Sequence, residues 1–150
     1  MDAHEYHVNI NWNTDRKGVM CSPELGTPQG SGGCIEVATP PEFPKGIPGI
    51  WSPEHLFTAA VSSCLMTTFL AIAENSKLSF KSFTSDASGK LEKVDGKYLI
   101  TEITLEPNLV IANRADTEKA ERVLQKSEAA CLISNSIKST IIFRPKINYV

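Results

Sequence analysis

An α+β fold with a mostly antiparallel sheet is the class the sequence predicts, and three observations predict it. Short strand-like runs cluster in the first forty or so residues, and two helical patterns are separated by a hairpin-like pair of strands. No βαβ unit repeats, so the order β-β-β, helix, β-β, helix, β does not build a parallel doubly wound sheet. At 150 residues, one domain spanning 1–150 is the default.

Each element has its own signal. Tyr6, Val8, Ile10 and Trp12 alternate with His7, Asn9 and Asn11, the period of a half-buried strand. The polar run Asn13 to Gly18 is a turn that carries Arg16. Val19–Ser22 and Cys34–Ala38 read as short strands on either side of a glycine-rich stretch, Gly26 to Gly33. Pro40, Pro41, Pro44, Pro48 and Pro53 then exclude regular helix or central strand, because each lacks an amide donor.

Ser52 as N-cap, Pro53 at the first helical position and Glu54 at the positive end of the dipole open a helix. From Leu56 to Ala73 that helix is apolar or small almost all round, the pattern of a helix buried on most faces. Phe80 to Lys93 and Tyr98 to Pro107 form a hairpin across Asp95-Gly96. A second helix begins near Asp116 or Thr117. Its stripe Ala120, Val123, Leu124, Ser127, Ala130 and Cys131 turns Cys131 to the core, and Asn135 is its stop. Ile141 to Val150 closes the chain as a strand interrupted at Pro145.

The bulk numbers exclude several classes. A net charge of -2 provides no basic field for a polyanion, so nucleic acid is not an expected partner. Thr58, Ser62, Ser63, Thr67 and Thr68 interrupt the longest apolar run, and a membrane span is not expected either. The first residues carry no basic stretch followed by an apolar one, which implies a cytoplasmic, reducing setting where a standing disulfide is unusual. Cys21, Cys34, Cys64 and Cys131 lie far apart with no C-x-x-C, so neither a metal nor any other cofactor is expected. Reactive thiols or small buried hydrophobes remain.

Taken singly, each candidate has a plain structural reading. A cysteine in an apolar helix is usually a core residue, which suits Cys64 and Cys131. Glu54 compensates a dipole, Arg16 is a solvated turn residue, and Cys21 and Cys34 are structural, with no evident partner.

Together the segments change that reading. Trp51-Ser-Pro-Glu54-His-Leu-Phe-Thr-Ala-Ala-Val-Ser-Ser-Cys64 resembles the motif around the reactive cysteine of the OsmC/Ohr family, the osmotically inducible and organic hydroperoxide resistance proteins. Ala130-Cys131-Leu-Ile-Ser134-Asn135 resembles that family's Cys-Pro-x-Ser-Asn around its second cysteine, with Leu132 where the family usually has proline. Asn13-Thr-Asp-Arg16-Lys-Gly18 is similar to the early turn that carries its arginine.

The resemblance implies an OsmC-like fold, with sheet wrapped around a long buried central helix in an intertwined homodimer. It also implies a thiol peroxidase that reduces organic hydroperoxides in oxidative-stress defence. Cys64 would be oxidised to a sulfenic acid and Cys131 would resolve it, with dihydrolipoyl groups or another dithiol as reductant. Arg16 would favour the thiolate and Glu54 would orient Arg16. Leu56, Phe57, Leu65 and Phe69 offer an alkyl-binding wall, or simply core. Glu54 and Cys64 are separated by about 15 Å of helical rise and roughly 80° of rotation, so both can serve one site only through a bend or a second subunit. A redox sensor or small-ligand binder on the same fold, without turnover, is the alternative; a dimeric module with two inert thiols is a third.

Overall fold

The computed structural model describes residues 2–26 and 32–150, so most of the glycine-rich stretch, residues 27–31, lies outside the described residues. The sequence reads as one domain; its contacts group into two compact units, Met1–Leu56 and Phe57–Val150.

In the first unit, β1 (Asn9–Thr14), β2 (Lys17–Cys21) and β3 (Cys34–Ala38) form an antiparallel sheet in that order. Asp15 takes a positive φ of 48° between β1 and β2, and the Trp12 indole N–H donates to its carbonyl at 3.0 Å. The alternation from Tyr6 to Trp12 predicts a half-buried strand. Instead, Tyr6, Val8, Ile10 and Trp12 are 87, 71, 63 and 76% exposed, because nothing among the described residues covers that side. The proline-rich passage is irregular as expected. It is held by turn bonds such as Phe43 N–H to Pro40 O and Ile47 N–H to Thr39 O, and Ala38 N–H reaches Trp51 O at 2.9 Å.

Cys21 and Cys34 correct the expectation of unpaired structural thiols. They face each other in the β2–β3 register, with Cα atoms 4.1 Å apart, and are joined by a disulfide.

Helix α1 (Pro53–Asn75) starts where its signals place it: Ser52 Oγ accepts from the His55 N–H at 3.2 Å, capping the first turn. By length and composition this helix is apolar enough to cross a bilayer, so its hydroxyl residues do not by themselves exclude a span. Nor is it buried on most faces. Val61, Cys64, Leu65, Phe69 and Ala73 are buried, while Met66 and Leu70 are 41% and 43% exposed.

The second unit packs that buried stripe on a sheet. β4 (Ser82–Val94) and β5 (Lys97–Ile111) form an antiparallel hairpin; Asp95 and Gly96, at φ 49° and 79°, supply the two left-handed residues of its turn. β6 (Thr140–Phe143) and β7 (Lys146–Tyr149) both pair with β5 in parallel, so the final strand is two strands split at Pro145. β5 also runs past Pro107 to Ile111. Its residues Ile103, Leu105, Leu109 and Ile111 alternate into the core. Val61 and Leu65 meet Ile103 and Leu105; Phe69 and Ala73 meet Leu109, Ile111 and the Ala120, Val123 and Leu124 stripe of α2 (Thr117–Ala130). Phe69 stacks on Phe83 at 4.6 Å. A Cβ on Gly89 would collide with Thr58 Oγ1, so the sheet takes glycine where α1 comes closest.

Helix α2 ends at Ala130, earlier than the expected stop at Asn135, and Ala130 itself is exposed. Cys131 leaves the helix with φ −64° and ψ 106°. Asn135 still acts at this end, its side-chain amide donating to Ala129 O at 3.1 Å.

Candidate active site

Cys64 lies on the buried stripe of α1, and Cys131 caps the far end of α2. Both are free thiols and both are buried. The Cys131 Sγ lies 4.0 Å from the Val61 carbonyl, three residues before Cys64 on the same helix face. Thr68, one turn after Cys64, places its hydroxyl 3.9 Å from the Cys64 sulfur.

These neighbours separate the two thiols electrostatically. Burial pushes the Cys64 thiol up, but donors outweigh it: the Ile133 N–H, the Cys131 thiol, the Thr68 hydroxyl and the Leu132 N–H hold it below the ordinary cysteine value. Burial dominates at Cys131 and raises it. The Ser134 hydroxyl and N–H act in the opposite direction, and a Cys64 anion beside it pushes it further up. One sulfur is thus predisposed to be the anion and its neighbour to keep its proton.

The structure therefore brings Cys64 and Cys131 together. Arg16 stands exposed on the β1–β2 turn, its carbonyl accepting from Thr39 N–H at 3.1 Å, and Glu54 is half-buried in the first turn of α1. Both belong to the Met1–Leu56 unit. Leu65 and Phe69 are fully buried core residues, and Phe57 packs against the cluster that holds Leu65; Leu65 and Phe69 are not an open alkyl wall. No group of three or more His, Cys, Asp or Glu residues that could hold a metal ion occurs among the described residues.

Residues 46–146 match the family model described as OsmC-like protein. The chain belongs to the OsmC-like protein family. Among curated relatives, the uncharacterized protein YmaD of Bacillus subtilis is 23% identical over 144 residues, 94% of this chain and 91% of that one. Peroxiredoxin OsmC of Escherichia coli is 27% identical over 90 residues, 60% of this chain and 62% of its own length. The fold of this OsmC-like protein is shared with an OsmC-like protein of unknown function from Vibrio cholerae, at a TM-score of 0.81 and 24% identity over 95% of this chain and 99% of that one. An organic hydroperoxide resistance protein from Elizabethkingia anophelis gives a TM-score of 0.74 at 19% identity over 99% of each chain.

Sequence reasoning on this OsmC-like protein missed Thr68 and the amides of Leu132 and Ile133. Thr68 had a signal, its i+4 spacing from Cys64. The amides had none, since backbone donors leave no mark in residue identity.

Proposed function

We propose that this OsmC-like protein is a thiol-dependent peroxidase that reduces organic hydroperoxides to alcohols. The observation that carries the reading is the contact between two free thiols, one lowered and the other raised in pKa, in a chain of this family. The relatives named peroxiredoxin and organic hydroperoxide resistance protein support it.

The Cys64 thiolate attacks the terminal oxygen of R–O–OH. The S–O bond forms as the O–O bond breaks, giving Cys64 sulfenic acid and an alkoxide that takes up a proton to leave as the alcohol. The Cys131 sulfur then attacks the Cys64 sulfur, expelling water and closing a Cys64–Cys131 disulfide. A dithiol such as a dihydrolipoyl group reduces that bond by two exchange steps and is itself oxidised to a disulfide. Arg16 is assigned to the peroxide and the leaving alkoxide, and Glu54 to orienting its guanidinium through a forked pair.

A homodimer is part of the proposal, since a second subunit could supply Glu54 to a Cys64 ten residues further along the helix. Apolar surface left exposed among the described residues supports it: the Tyr6, Val8, Ile10, Trp12 side of β1 and the Met66 and Leu70 face of α1. We assign the protein to the cytoplasm, with its dithiol pool.

Single-turnover oxidation tests the core step. One equivalent of cumene hydroperoxide added to reduced protein should give the Cys64–Cys131 disulfide by peptide mass spectrometry. Oxidation without that bond would favour a sensor or binder.

A further inference from the structure

The Cys21–Cys34 disulfide belongs to a different unit from Cys64 and Cys131. It joins the last residue of β2 to the first residue of β3 in the Met1–Leu56 unit. Cys64 and Cys131 are buried, whereas Cys34 is exposed and Cys21 half-buried. The bond runs across the sheet, and the two ends of its axis differ. β3 is an outer strand; on its open side, among the described residues, Trp51 alone pairs with it, at Val37 near the opposite end. Behind Cys21 stands Asn9 of β1. A thiolate attacks a disulfide along the S–S axis, from behind the sulfur it strikes, so the open route leads to Cys34 and makes Cys21 the leaving group. Negative charge beside that route is offset. Glu36, two residues along the same face of β3, is paired with Lys17 at 3.3 Å.

The same bond backs a small surface network. One residue past it, the Ser22 N–H donates to Gly33 O at 3.0 Å, and the Glu24 N–H donates to Ser22 Oγ at 3.2 Å. The Glu24 carboxylate accepts the His7 N–H, at 3.1 Å to each oxygen, and meets His7 Nδ1 at 2.6 Å. The His7–Glu24 contacts are exposed, and exposed hydrogen bonds open easily once no covalent link holds the chain beside them.

We propose that Cys21–Cys34 is a second redox site, a disulfide that exchanges with dithiols through Cys34 and governs the order of residues 22–26 and of the His7 segment held to them. The site goes beyond the peroxidase reading and does not rest on it. A thiolate of the dithiol attacks the Cys34 sulfur; a mixed disulfide forms, the Cys21–Cys34 bond breaks, and Cys21 leaves and takes up a proton. The second thiol of the reductant then attacks its own half of the mixed disulfide, releasing Cys34 as a thiol and leaving the reductant as a disulfide. The protein gains two electrons and two protons, and the dithiol loses them.

Trapping with a monothiol reads the route. Oxidised wild-type protein treated with 2-mercaptoethanol and quenched with N-ethylmaleimide should carry the mixed disulfide on Cys34 and the maleimide on Cys21, at least about tenfold over the reverse by peptide mass spectrometry. Excess dithiothreitol should then open the bond in folded protein, and amide exchange across residues 5–9 and 22–26 should quicken several-fold while β4 and β5 keep their rates. A bond that opens only in denaturant, an adduct that favours Cys21, or exchange unchanged by reduction would each overturn the proposal. So would Cys21 and Cys34 thiols that fail to close under an oxidised dithiol. No step uses peroxide, and Cys64→Ser should give the same results, so an inactive enzyme would refute the peroxidase reading without touching this one.

Discussion

The Cys131 sulfur lies 4.0 Å from the Val61 carbonyl, one turn before Cys64 on the same helix, and the two ionisations move apart: Cys64 downward, Cys131 upward. Part of that separation is mutual, since an anion on Cys64 is favoured by the Cys131 thiol and in turn opposes ionisation of Cys131. Which sulfur takes the anion is set by its surroundings: hydrogen-bond donors outweigh burial at Cys64, whereas burial dominates at Cys131.

The separation has a direct pH signature. Cys64 should ionise below the ordinary cysteine value and Cys131 above it, so iodoacetamide at neutral pH should label Cys64 first. Site-resolved mass spectrometry across a pH series checks this, and equal labelling of the two would contradict the asymmetry.

Replacing Cys131 with serine should leave the first oxidation intact and remove its resolution. A dimedone adduct should accumulate on Cys64, and turnover with a dithiol should fall at least about tenfold or give way to sulfinic acid. Undiminished turnover would mean that the external thiol resolves the sulfenic acid directly.

Arg16→Ala should lower the peroxidase rate at pH 7 at least about tenfold, because the leaving alkoxide loses its cation. Arg16→Lys should recover part of the rate, and Glu54→Gln should resemble it, since both keep the charge and lose the forked geometry. Steady-state kinetics of the three variants test the order; wild-type rates in Arg16→Ala would remove that residue from the site.

The Cys21–Cys34 bond closes a short loop of separation 13. Replacing both residues with serine should cost on the order of 2–3 kcal/mol in the Met1–Leu56 unit, by the loop-closure argument. Amide exchange across β2 and β3 measures it. Exchange as slow as in the wild type would show that the sheet does not depend on the bond.

Much of this was legible in the sequence because local chemistry fixes local structure. Ser52 and Pro53 set the start of α1, Asp95-Gly96 set the hairpin, and the Ala120, Val123, Leu124 stripe set the buried face of α2. The disulfide does leave a trace in the sequence: Cys21 ends β2 and Cys34 begins β3, so antiparallel pairing puts them opposite each other. What stayed hidden is non-local. Period alone cannot say whether the side of β1 bearing Ile10 and Trp12 is covered, nor that β6 and β7 lie parallel to β5. Of the site, Cys64 and Cys131 are legible through motif resemblance, while the approach of Cys131 to the Val61 carbonyl depends on how the chain leaves α2.

The central claim is peroxide turnover at Cys64, and the most direct measurement is steady-state consumption of cumene hydroperoxide with a dihydrolipoyl dithiol as reductant. Hydrogen peroxide is run in parallel, and Cys64→Ser serves as the control. Sustained consumption of the organic peroxide, faster than that of hydrogen peroxide and lost in folded Cys64→Ser, is the predicted result. Consumption that persists in Cys64→Ser, or a wild-type protein that stops after one equivalent with dithiol in excess, would contradict it.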